Sequence, residues 1–76
     1  MINTEKLKSL NEDEEVLLLY SLNNFCNPLI SGEVDYQTIA SYNYGYLHHI
    51  LKNEITPKLN PTGEILMSGI INKLFN

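Results

Sequence analysis

Four consecutive carboxylates, Glu12, Asp13, Glu14 and Glu15, run straight into an apolar block at residues 16–20. Asn11 ahead of them can cap a helix, and carboxylates in a first turn are favoured by the positive end of the helix dipole. The pattern predicts a helix over residues 12–26. Its apolar side chains, Val16, Leu17, Leu18, Leu19, Tyr20, Leu22, Phe25 and Cys26, cover far more than half of the helical circumference. A helix that apolar is central to its fold or shared with another chain. It ends at Asn27-Pro28, because the residue before a proline avoids the helical region. Residues 27–34, with Gly32, read as a loop.

The other segments assemble around this one. Thr4 is a candidate cap for a short helix over residues 4–10, with Leu7 and Leu10 on one side. Over residues 35–54, with Asp35 as cap, Tyr36, Ile39, Ala40, Leu47, Ile50 and Leu51 share one face at the 3.6-residue period. The phase holds across Gly45, so one long helix is expected, and a break at Gly45 is the alternative. Pro57 and Pro61 bracket a turn. Asn60-Pro61 is a helix start, since a proline at the first helical position gives up an N–H that has no partner there. The last helix, residues 61–75, carries Leu66, Met67, Ile70, Ile71 and Leu74 as its stripe. No segment alternates with period two long enough to make a strand. The expected fold is all-α, one domain over residues 1–76, a compact bundle of three main helices plus a short N-terminal one.

A chain of 76 residues has a small core, and scaffolds of that size gain stability from disulfides, metals or a second chain. Cys26 is the only cysteine, so no internal disulfide forms. Cys26, His48 and His49 are the only strong nitrogen or sulfur ligands and lack zinc spacing, so no metal or cofactor is expected. A homo-oligomer remains open as the third staple. No apolar run approaches the ~20 residues that span a bilayer. The first ten residues lack the apolar region of a signal peptide, and a cytoplasmic protein is expected.

The net charge is −4, and the basic residues Lys6, Lys8, Lys52, Lys58 and Lys73 are scattered and include no arginine. That weighs against nucleic acid as the partner, since its binders carry clustered cations and arginines. The ten asparagines beside no arginine fit an AT-rich genome, such as that of a low-GC bacterium or its phage.

No catalytic set emerges. Consecutive helical positions diverge, so residues 12–15 cannot converge on one ion. His48 and His49 are about 100° apart and cannot chelate together. No carboxylate lies at α-helical spacing from either histidine, which removes the usual partner of a general base. Cys26 at a helix C-terminus lacks what lowers a thiol pKa and reads as a small buried hydrophobe. No Gly-rich phosphate loop, nucleophile elbow or metal-loop pattern is present.

The remaining surface is aromatic. Tyr42, Tyr46, His49 and Asn53 fall at i, i+4, i+7 and i+11 beside the core face of the third helix, with Tyr44 and His48 on its other flank. Tyrosines in such places suit protein interfaces, and the bland reading is that they fold over the bundle edge. Asn43 and Glu54 fall on the nominally buried face, where a polar group needs a partner; a role for Asn43 in subunit register is one reading. The expectation is a non-enzymatic regulator, inhibitor, antitoxin-like or adaptor protein that binds another protein. Tyr42, Tyr46 and His49 are its candidate contacts, with Glu12, Asp13 and Glu15 as a secondary acidic patch.

Two families share features with the chain. Its length, acidity and helix count look like acyl carrier proteins, but the Asp-Ser attachment pair is missing. Residues 37–61 resemble the helix-turn-helix of the Cro/repressor type in Gln37, Ile39-Ala40, Ile50 and Glu54. Gly45 stands one place later than the usual turn glycine, and residues 46–53 carry two histidines and Lys52 but no arginine. This resemblance implies a transcription regulator binding DNA, with the turn at Tyr44-Gly45, as the alternative function.

Overall fold

A computed structural model describes residues 4–25 and 36–76. The described residues are all-α and contain no strand. Helices α1 (Thr4–Lys8), α2 (Glu12–Phe25), α3 (Tyr36–Ala40) and α4 (Tyr44–His49) precede the last, α5 (Pro61–Phe75). Between α4 and α5 the chain continues through a π-helical turn, Ile50–Ile55, and a 3₁₀ turn, Thr56–Lys58. The expected Asp35 cap, the loop at 27–34 and Cys26 lie outside the described residues.

The caps at α2 and α5 form as local chemistry dictates. The Glu14 N–H donates to Asn11 Oδ1 and the Asn11 N–H donates to Glu14 Oε1, both at 2.9 Å, a reciprocal capping box. At α5, Asn60 Oδ1 accepts the Gly63 N–H at 2.8 Å, with Pro61 at the first position. One apolar cluster joins the elements: Leu7 and Leu10, Leu18 and Leu22, Ile39, then Leu47, Ile50, Leu51 and Ile55, then Met67, Ile70 and Leu74. Helices α2 and α5 run antiparallel, because Glu14 near the start of α2 meets Lys73 near the end of α5.

The long helix expected at 35–54 is not formed. Helix α3 stops at Ala40, the chain turns through Ser41, Tyr42 and Asn43, and α4 starts at Tyr44. Asn43 has extended backbone (φ −62°, ψ 133°), and its Oδ1 accepts the Tyr46 N–H at 3.1 Å. Ser41 and Tyr42 close the end of α3 with N–H bonds back to Gln37, Thr38 and Ile39 carbonyls. The apolar period carried the sequence reading across this point, but an asparagine caps better than it continues a helix. Gly45 is not the break; it lies inside α4, and a Cβ there would meet only Asn43 Oδ1 at an ordinary 3.5 Å.

The π turn follows from the exit of this helix. The Thr56 N–H reaches back five residues to the Leu51 carbonyl, and the Thr56 hydroxyl donates to the same oxygen. Pro57, with no N–H to extend an α ladder, comes next.

Candidate functional site: an acidic apolar groove and a broken aromatic row

The aromatic row predicted on one helix is divided by the Asn43 cap. Tyr42 sits in the turn, half-buried and packed against the core, so it does not share a helical face with Tyr46. Asn43 is exposed rather than on a buried face, and its side chain is engaged as the cap of α4. Tyr46 is 53% exposed, and His49 and Asn53 remain on its side of the helix. The Asn53 amide nitrogen lies 3.2 Å from His49 Nδ1 and donates to it when that nitrogen carries no proton.

Glu54 Oε1 stands 3.8 Å from His49 Nε2, and Glu54 is exposed rather than on a buried face. The α-helical spacing rule had excluded a carboxylate partner for this histidine. The π turn overturns it, because a backbone that bonds across five residues brings position i+5 under position i. The pair is largely solvated, where such contacts contribute little.

Tyr44 and His48, on the opposite flank, are used inside the molecule. The Tyr44 hydroxyl donates to the Phe75 carbonyl at 2.9 Å. Both rings meet the Phe75 ring edge-on with centroids 4.8 Å apart, which ties the start of α4 to the end of α5.

In the acidic turn the structure separates one residue from its neighbours. Glu12 and Asp13 are exposed, Glu15 is half-buried, and Glu14 is only 4% exposed. Lys73 Nζ donates to Glu14 Oε1 at 2.6 Å. A Cβ at Gly69 would come within 3.3 Å of Glu14 Oε2, so the missing side chain leaves room for this carboxylate. Burial pushes the Glu14 pKa up, but the Lys73 hydrogen bond, the Asn11 N–H and the Lys73 charge outweigh it, and the net shift is downward.

Beside this pair lies an open apolar groove of about 620 Å³ between α2 and α5. Val16, Leu17 and Tyr20 line it from α2, with Asp13 and Glu14, and Thr62, Ile65, Leu66 and Gly69 line it from α5. Val16 is 61%, Tyr20 64% and Ile65 76% exposed. None of these three is among the contacts expected from the sequence. The signal was the excess apolar circumference of α2: Val16 and Tyr20 are four residues apart, on a side that one small core cannot cover.

Charge is segregated along the same division. Helices α2 and α5 carry Glu12, Asp13, Glu14, Glu15 and Glu64 against Lys73 alone, which is bound to Glu14. Helix α1 and the stretch from α4 to the 3₁₀ turn carry Lys6, Lys8, Lys52 and Lys58 against Glu5 and Glu54, together with both histidines.

Among the described residues, no group of three or more histidine, cysteine, aspartate or glutamate side chains could hold a metal ion. No described helix is long and apolar enough to cross a membrane. Comparison with protein-family models, curated proteins and solved structures finds no match.

Proposed function

We propose that this chain is a non-enzymatic binding protein, a regulator, inhibitor, antitoxin-like or adaptor protein, that acts by docking its α2–α5 groove onto another protein chain. The observation that carries the reading is the row of Val16, Tyr20 and Ile65, three large side chains exposed together along one groove. Contiguous apolar surface of this kind mark interaction sites on small soluble folds. The contact surface therefore moves from Tyr42, Tyr46 and His49 to the opposite pair of helices, with Glu12 and Asp13 kept at its margin. A photo-crosslinking residue placed at position 65 should trap a discrete protein adduct in cells, and the same residue at position 46 should not. Equal trapping from both positions, or none from 65, would remove this placement.

A second reading, a helix-turn-helix DNA binder, is favoured by one specific observation: α3 and α4 are joined by a three-residue turn. Such motifs use a turn of about that length, and the second helix enters the major groove. Tyr46, His49, Lys52 and Asn53 on the outward side of α4 and its π extension would be the reading residues. The turn is then Ser41–Tyr42–Asn43 rather than Tyr44-Gly45. The reading predicts salt-sensitive binding to duplex DNA, with Lys52→Ala lowering the salt slope by about 1. Absence of a retarded band at low salt would dispose of it.

A further inference from the structure

Resting on the docking reading above, we propose that the chain which fills the α2–α5 groove is a second copy of this one. The two copies are related by a two-fold axis that runs across the groove, so that two pairs of antiparallel helices close into a four-helix bundle. The residues that line the groove have the spacing such a seam requires. Apart from the clamped Glu14, they are Asp13, Val16, Leu17 and Tyr20 on α2, and residues 62, 65, 66 and 69 on α5. Both sets fall at i, i+3, i+4 and i+7, so each helix carries a second packing stripe beside the one it turns to the core.

A two-fold interface is one patch used twice, so the patch must hold both halves of the fit. This one does. Val16, Tyr20 and Ile65 stand out as knobs, 61%, 64% and 76% exposed, and Gly69 in the same face leaves a hole. Because Glu14 meets Gly69 and Lys73, the Asp13 and Gly69 end of the groove is opposite the Tyr20 and Thr62 end. The axis exchanges those ends. It brings Tyr20 of each copy to the end of the other that offers space at Gly69 for the ring and the Asp13 carboxylate for the hydroxyl. It also keeps the two Asp13 side chains apart, since the hollow beyond Tyr20 is bordered by Lys58 together with Glu54.

The area is what a modest dimer needs. At these exposures the three knobs offer on the order of 100 Å² each, so six of them supply about half of the ~1,200 Å² at which specific interfaces begin. Half-buried Leu17 and Leu66 and exposed Thr62 share the face and add to it. A 76-residue chain builds a small core, its single cysteine forms no internal disulfide, and a second copy over this face extends the core across the axis.

Sedimentation velocity on the full chain, from about 1 µM to 1 mM, reads the association directly. A reversible dimer is expected, with Kd on the order of micromolar, the weak end for interfaces of this class. Ile65→Asp and Tyr20→Ala, at exposed positions, should keep the helix content of the parent and raise Kd at least about tenfold. Tyr20→Phe, which removes only the hydroxyl, should raise it by about threefold to tenfold. Tyr46→Ala, on the other half of the molecule, should leave it unchanged. Should Ile65→Asp fail to fold, Tyr20→Ala and a photo-crosslinker at position 65 of the purified chain, expected to give an adduct of twice the chain mass, decide the matter. A folded monomer up to about 1 mM overturns the inference. The docking reading then stands if position 65 traps a different protein in cells, and falls if it traps none. A dimer that Tyr46→Ala dissolves while Ile65→Asp and Tyr20→Ala leave it intact also overturns the inference, and leaves the groove to a different chain.

Discussion

The α2–α5 half of the molecule and the α3–α4 half treat apolar and polar residues in opposite ways. In α2 and α5 the elements come out where the local signals put them, yet large apolar side chains, Val16, Tyr20 and Ile65, are left in solvent. In α3 and α4 the periodic apolar residues Ile39, Leu47, Ile50 and Leu51 are buried as expected, yet the helix meant to carry them is cut in two. A core of this size needs only some of the apolar surface that the chain supplies. Where the excess falls on a continuous helix it lines an open groove. Where a capping residue interrupts the helix, the chain bends so that both pieces reach the core.

The largest effect that could break this comparison is on α2 itself. Leu18→Ala, at a fully buried site, should cost about 2–5 kcal/mol in urea denaturation. Val16→Ala, two residues away and mostly exposed, should change stability by less than about 0.5 kcal/mol. A comparable loss at both positions would mean that the groove is core, and that no free face exists.

Next is the clamp that holds the two long helices together. Glu14→Ala removes half of the capping box and the partner of Lys73, and should cost about 2–3 kcal/mol; the loss is kept below that of a fully buried pair because Lys73 is 40% exposed. The folded-state pKa of Glu14 lies below its unfolded value, so its stabilisation is fully present above the unfolded carboxylate range. It is lost as pH falls through the lowered folded value. The Glu14→Gln chain should therefore show a weaker fall in stability on acidification than the parent. An unchanged acid profile would show that Glu14 is not ionised in the clamp.

Smaller, but decisive for the α3–α4 half, is a pair of substitutions around the break. Asn43→Ala should cost about 1 kcal/mol by removing the cap, whereas Gly45→Ala should be neutral or stabilise by up to about 1 kcal/mol. The opposite order would put the break at Gly45. The smallest effect is at Ser21, whose buried hydroxyl has no hydrogen-bond partner among the described residues. Ser21→Ala should leave stability unchanged or raise it by up to about 1 kcal/mol, since it removes a desolvated group that gains nothing on folding.

Much of this was legible in residues close together in the chain. Asn11 and Asn60 announced their helices because a cap needs only a side-chain oxygen and an N–H two or three residues on. The stripe Met67, Ile70 and Leu74 announced the buried face of α5 because helical geometry repeats at that spacing. Asn43 was legible in the same way, as a capping residue on a nominally apolar face, but the longer apolar period argued more strongly for continuity.

Other features depend on residues that meet only after the chain has folded. That Glu14 turns inward while Glu12 and Asp13 stay in water depends on Lys73, 59 positions away, and on the space left by Gly69. That Glu54 lies beneath His49 depends on a π turn, whose wider spacing no α-helical rule anticipates. The excess of apolar surface on α2 was written in the sequence. Which part of it stays open was decided by packing, because a helix has one face for each neighbour and α2 has too few neighbours to cover every apolar residue it carries.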